Sequence, residues 1–366
     1  MTVLLTMIWS ITVDMMKMRK LQRIMMIFGG TIFLSFLILF SNRALLGQFT
    51  VKHKSHLAIE VDEFRSLMEE RTSLVASHCA NRSHRATIKT GEDLYSLPGQ
   101  SLVWCPVYKA ASSNWFHNLL SLSGLSDYGV QEIKEDFPDL HPNMLAREVA
   151  PVLPYQEIKE IILQPGSTRF LIVRHPFDRL VSAFRDKLER IGDTGHDYYN
   201  KYGKNIVKTY REKAMKRFGQ DFFSKENNFG APLLTQGERT SELPSWWEFI
   251  QWILENGDHP ERFDVHWRPI SVFCSICVVQ YNYILHFENL EQEELLFVEE
   301  LNTKAVITPR WDNRNDMGLV KKDIINTYFS LLDEQDVVRL YQLYKDDFLM
   351  FGYEFQYNWL KFNHQE

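Results

Sequence analysis

Net positive charge is missing from this sequence: Lys and Arg total 41 against 47 Asp and Glu, a formal charge of −6 over 366 residues. A chain of that balance has no global attraction for nucleic acid, so a polyanionic partner must be held by a local basic patch. There is no G-x-x-x-x-G-K-[ST] loop and no protein-kinase signature, which argues against the common nucleotide kinases. There is no internal repeat. Cysteine is scarce, with four in all: Cys79, Cys105, Cys274 and Cys277. The "CSIC" stretch has zinc-like spacing but no second pair at metal spacing, so disulfide bonding is expected; the three possible connectivities stay open. The remaining composition, 45% hydrophobic and 24% charged, is that of a globular protein.

One apolar run is long enough to matter. Ile24 to Phe40, "IMMIFGGTIFLSFLILF", carries no charge and follows Lys17, Arg19, Lys20 and Arg23. At about 1.5 Å per residue it nearly spans a hydrocarbon core of roughly 30 Å, which suits the thinner membranes of the secretory pathway. The basic flank stays cytosolic, so the expectation is a type II membrane protein: cytosolic tail 1–23, signal-anchor helix 24–40, lumenal stem 41–98 and a folded lumenal domain 99–366. A cleaved signal peptide is the alternative, disfavoured by the long preceding segment and the lack of an A-x-A site. A lumenal address agrees with the sequon Asn81-Arg82-Ser83 and with oxidised cysteines.

From Ser101 onward, apolar runs alternate with helical patterns, which predicts an α/β domain with a largely parallel central sheet flanked by helices. Strands are expected over Leu102–Val107, Phe170–Val173, Ile276–Val279 and Ile284–Phe287. Helices are expected from about Trp115 to Leu122 and Pro176 to Arg190, and a last one, capped by Asp333, carries Val337, Leu340, Tyr344 and Phe348.

Two strand–turn–helix junctions carry chemistry. In "WCPVYKAASSNW", residues 104–115, small residues follow a strand and open a helix, with a single cation at Lys109. Such a turn offers backbone N–H groups at the positive end of a helix dipole, and Ala110, Ala111, Ser112, Ser113 and Asn114 let an anion approach closely. A helix capped by Ser112 or Ser113 beside an exposed loop lysine is the structural alternative. In "RHPFDRLVSAFRDK", Arg174 ends a strand, Pro176 takes the first helical position, and Arg179 and Ser182 share a helix face. That set suits bidentate phosphate binding. Two anion sites on neighbouring strands point to a ligand with two separate anionic groups.

These two motifs resemble the 5′-phosphosulfate and 3′-phosphate motifs of the membrane-bound carbohydrate sulfotransferases, the group with the chondroitin and dermatan 4-O-sulfotransferases and the HNK-1 sulfotransferase. The likeness continues through "DVHWRPISVFCSIC", "YILHFENLE" and "YFSLLDEQDVVRLYQLYKDDFLMFGY", covering roughly Leu102 to Tyr353. It implies a P-loop-like sulfotransferase fold and 3′-phosphoadenosine 5′-phosphosulfate (PAPS) as donor, without a metal. Lys109 and residues Ala110 to Asn114 would surround the phosphosulfate, with Arg174 and Ser182 on the 3′-phosphate. Tyr108, Ser113 and His175 depart from the family pattern, which often has Pro, Thr and an acidic residue there.

The implied reaction is attack by a sugar hydroxyl of a glycosaminoglycan or related glycan in the Golgi lumen. A catalytically inactive lumenal glycan-binding protein is the alternative. Lys109 is expected to neutralise the leaving oxygen and His266, in "DVHW", to act as general base; His117, His141 and Glu288 are rivals. Lys204, Lys208 and Arg211 fall on one helical face and make a candidate acceptor strip.

Overall fold

The computed structural model describes residues 60–80, 93–97, 99–125, 129, 133, 141–190, 195–224, 240, 242–303, 307 and 321–355. The expected cytosolic tail, the 24–40 anchor and Asn81 lie outside them. Among the described residues no helix is long and apolar enough to cross a membrane. The chain divides into two compact units, Met1–Glu63 and Phe64–Glu366, and all the motifs above from Leu102 to Tyr353 fall in the second.

Three strands form the sheet of that unit in the order β1 (Leu102–Cys105), β2 (Thr168–Val173) and β3 (Tyr283–His286), with both pairings parallel. Every β1 residue and the last four of β2 are buried, as expected for strands covered on both faces. Parallel neighbours need long crossovers, and helices supply them. The other edge of β1 is closed by an antiparallel bridge, in which Tyr95 and Trp104 exchange two 2.8 Å hydrogen bonds.

The four cysteines pair as Cys105–Cys274 and Cys79–Cys277, so "CSIC" is two half-cystines and not a zinc half-site. Ile276–Val279, expected as a strand, is a short helix between two left-handed residues, Ser275 and Gln280. Its β-branched content reflects burial of Ile276 and Val279, which either structure provides. Asp333 does occupy the N-cap of the Glu334–Met350 helix, but its side chain makes no capping bond. Its carboxylate accepts instead from Arg217, at 2.6 and 2.8 Å.

The expected stem is revised in its second half. Residues 64–80 are helical, with Phe64, Met68 and Val75 buried. Arg71 donates to both oxygens of Glu293 at 2.7 and 2.8 Å and to the Ile284 carbonyl at 2.7 Å. Together with Cys79–Cys277, these bonds make this helix part of the folded unit.

Trp104, Trp115, Phe170 and Phe297 stack through the sheet and fix the Ser112–Leu122 helix against it, with ring centroids 4.6 to 6.2 Å apart. Beside them Glu294, on the Leu290–Glu300 helix, is 1% exposed, and Trp115 and Asn118, the latter at 3.3 Å, are its side-chain hydrogen-bond partners. Burial pushes its carboxyl from 4.5 up to about 7. A raised carboxyl holds its proton in the native state after the unfolded chain has lost it, so stability falls as pH rises from 4.5 through 7, by about 3 kcal/mol. Glu294→Gln should therefore match the parent near pH 4.5 and exceed it by roughly 2–3 kcal/mol at pH 8. Urea unfolding at both pH values checks this, and equal pH dependence in the two chains would refute it.

Candidate donor and transfer site

The turn from β1 into the Ser112–Leu122 helix is wound through left-handed backbone at two non-glycine residues, Lys109 (φ 70°) and Ala111 (φ 61°). Each costs of order 1–2 kcal/mol. Their persistence follows from what grips the chain between them. Arg174 donates through Nη1 to the Lys109 carbonyl at 2.8 Å, and Arg179 through Nε to the Tyr108 carbonyl at 2.9 Å. The helix cap is Ala111, rather than Ser112 or Ser113, with no side-chain bond and no acidic residue in the first turn. An uncapped N-terminus of this kind leaves its first N–H groups open to an anion. Ser112 is buried and Ser113 exposed at that opening.

The Pro176–Lys187 helix contributes unequally. Arg179 is 1% exposed, and its remaining bonds go to the carbonyls of Arg268 (2.7 Å) and Val265 (2.8 Å). All three donor nitrogens are thus committed to backbone, so this residue holds the loop instead of facing a ligand. Arg174 is also enclosed, its guanidinium 4.5 Å over the Phe287 ring, and among the described residues its Nε has no hydrogen-bond partner. The buried Nε of Arg185 is likewise unpaired, though Glu189 stands 3.7 Å away. Orphaned guanidinium N–H groups beside the half-buried Ser182 fit an anionic ligand. His175, where the family pattern is acidic, donates its backbone N–H to Glu288 at 3.0 Å, and Tyr353 donates to the same carboxylate at 2.9 Å. Glu288 is accordingly occupied with tethering the strand end.

Lys109 turns its ammonium toward Asp186, at 3.3 Å, and Asp186 lies 3.1 Å from Lys187 as well. Burial pulls the Lys109 pKa down while Asp186 opposes it. Lys187 sits 5.0 Å over the ring of Tyr198, which brings the cluster to His266. His266 Nδ1 is 2.6 Å from Asp264 Oδ1 and 3.0 Å from the Tyr198 hydroxyl, and the imidazole lies 4.9 Å from the Tyr108 ring. Burial lowers the His266 pKa, with Asp264 acting against it. For Asp264 burial alone would raise the pKa, but the bonds and charge of His266 outweigh it and hold the carboxyl below the usual range.

The structure brings Lys109, Arg174 and His266 into one cluster: Arg174 bonds the Lys109 carbonyl, and Lys109 acts on the charge of His266. The rivals stand elsewhere in the fold: His117 is half-buried along the Ser112–Leu122 helix, and His141 is the exposed N-cap of the Pro142–Val149 helix. Arg211 leaves the acceptor strip, because it pairs with buried Glu248 at 2.6 Å and covers the Phe223 ring. Lys204 and Lys208 remain exposed on the Lys204–Phe218 helix. Sequence reasoning missed Asp186, Lys187, Tyr198 and Asp264. Three of these stand beside residues already singled out, in "FRDK" and "DVHW", and adjacency was the one available signal.

Replacing Arg179 by Lys should cost about 3–5 kcal/mol, since one ammonium cannot serve three diverging carbonyls. Denaturant unfolding measures it; a loss under 1 kcal/mol would show that the clamp is dispensable.

Comparison with known proteins follows the same span. The model of the sulfotransferase family matches residues 93–354. Carbohydrate sulfotransferase 8 of Homo sapiens is 28% identical over 313 residues, 84% of this chain and 64% of that protein. Carbohydrate sulfotransferase 11 of Mus musculus is 24% identical over 314 residues, 83% of this chain and 81% of the relative. Carbohydrate sulfotransferase 10 of Xenopus laevis is 27% identical over 303 residues, 79% and 76% of the two chains. The matched region spans less than two thirds of the first of these relatives. No solved structure gives a significant match.

Proposed function

We propose that this chain, which belongs to the sulfotransferase family, transfers sulfate from PAPS to a hydroxyl of a glycosaminoglycan or related glycan. The observation that carries the reading is the bond from Arg174 to the Lys109 carbonyl, because it unites both expected anion sites in one cluster. The names of the relatives support a carbohydrate acceptor. The signal-anchor pattern at 24–40 supports a type II protein of the Golgi membrane with this domain in the lumen.

PAPS, when bound, supplies an activated sulfuryl group on a phosphate leaving group. The backbone from Ala110 to Asn114 would hold its phosphosulfate and Arg174 with Ser182 its 3′-phosphate. Lys109 would neutralise the charge that grows on the leaving oxygen, and a preformed cation there needs no reorganisation during transfer. His266 accepts the acceptor's hydroxyl proton at Nε2. Lys204 and Lys208 offer exposed positive charge to an anionic glycan.

Three variants test this with PAPS and a panel of chondroitin, dermatan, heparan and N-glycan acceptors. Lys109→Ala should abolish transfer, Arg174→Ala should chiefly weaken donor binding, and His266→Ala should lower kcat roughly 10²–10⁴-fold. Full activity in Lys109→Ala, or an absence of PAPS binding by the parent, would overturn the reading. The pH profile adds a sign. A base must be unprotonated, and burial depresses His266 below its ordinary 6.5, so kcat should persist to pH values under 6.5 before falling. An acid limb above 6.5 would contradict it.

A further inference from the structure

We propose that Asp264 is the positioning residue that fixes His266 in the Nδ1–H tautomer, with Nε2 as its basic atom, and that Tyr198 and Tyr202 hold Asp264 for that purpose. This rests on the reading of His266 as general base and goes beyond it by naming what sets the base. Oδ1 of Asp264 accepts the His266 backbone N–H at 3.1 Å and lies 2.6 Å from Nδ1. An ionised carboxylate is an acceptor only, so the Nδ1 contact requires the proton on Nδ1 and leaves the lone pair on Nε2. Among the described residues Nε2 makes no hydrogen bond, and Lys187 and Lys109 are the charges that face the imidazole from the other elements.

The carboxylate is itself held from one short segment. Tyr198 donates to Oδ1 at 3.4 Å, Tyr202 to Oδ2 at 3.2 Å, and Lys201 to Oδ2 at 3.4 Å. Those side chains lie three and four positions apart and so share one face of the helical segment. The segment passes through a turn of π-helix, Tyr199–Gly203, between the Gly195–Tyr198 and Lys204–Phe218 helices. The turn is tightly packed at Gly203, where a Cβ would lie 2.7 Å from the Tyr199 ring.

Two measurements test the proposal on the full chain. The first is NMR of ¹⁵N-labelled imidazoles, with the His266 signals identified by their loss in His266→Gln. The expected result is a protonated Nδ1 and an unprotonated Nε2 at pH 7.5; a wild-type signal from Nε2–H would overturn the proposal, whatever the activity. The second compares Asp264→Asn with the parent. Because an amide can present its N–H to Nδ1 and reverse the tautomer, kcat should fall roughly 10³–10⁴-fold with PAPS affinity within about threefold. Asp264→Glu should restore part of the lost kcat, and Tyr198→Phe should cost about tenfold with the tautomer kept. An Asp264→Asn chain with kcat within threefold of the parent would refute the role. If His266→Ala is fully active while the imidazole still shows Nδ1–H, the positioning stands and the assignment of His266 as base falls. Should Asp264→Asn fail to fold, the wild-type tautomer alone decides.

Discussion

One buried guanidinium sets the geometry of the whole site. Arg179 spans the carbonyls of Tyr108, Val265 and Arg268, and so ties the turn after β1 to the segment that carries Asp264 and His266. No neutral side chain offers that many diverging donors, and a Lys offers a point charge without the planar fork. Enclosing the charge is costly, and the fold offsets part of it with Asp347, the largest favourable charge acting on Arg179. Asp347 is itself buried and accepts the N–H groups of Ile270 (2.6 Å) and Ser271 (2.8 Å), which start the short helix after His266. Tyr344 completes the frame by donating to the Trp267 carbonyl at 2.6 Å. The C-terminal Glu334–Met350 helix is thereby part of what holds the segment that carries Asp264 and His266.

The strained turn makes sense within that frame. Lys109 and Ala111 adopt left-handed backbone without glycine's freedom, at a cost that two arginine–carbonyl bonds offset. A glycine would relieve the strain but widen the set of conformations open to the loop. With Lys at this position the same residue supplies both the bend and the cation. The carbonyl bond fixes the Lys109 backbone, and Asp186, 3.3 Å from the ammonium, gives the side chain its direction.

How much of this was legible in the sequence depends on the distance over which each residue is satisfied. Lys109, the small residues after it and Arg174 were readable because strand, turn and helix signals are local. The parallel sheet was readable for the same reason, as continuous apolar runs between helical ones. Arg179 was misplaced as a ligand: its spacing from Ser182 is right for a shared face, yet its partners at Val265 and Arg268 have no local signature. Arg211 fails identically, since Glu248 and not a glycan claims it. Ile276–Val279 was misread because four β-branched and sulfur-bearing residues carry no period that separates a strand from one helical turn. The 64–80 helix was read as stem, because its attachment through Glu293 and Cys277 depends on residues some two hundred positions away.

A chain of net charge −6 has no bulk attraction for an anion, so the proposed donor would have to be held by local groups. Each cation in the site already faces a carboxylate: Lys109 and Lys187 share Asp186, Arg185 faces Glu189, and Asp178 and Glu288 act on Arg174. The cluster is therefore close to neutral, and an incoming anion must compete with these partners. Charge alone gives such a ligand little advantage, and at physiological salt the distant field is screened beyond about 8 Å. What the carboxylates do not supply is a partner for the uncapped N–H groups of the Ser112–Leu122 helix or for the orphaned Nε atoms of Arg174 and Arg185. Those groups reward a ligand with oxygens in the right places over one that is merely negative, so selectivity in this site follows from directed donors more than from potential.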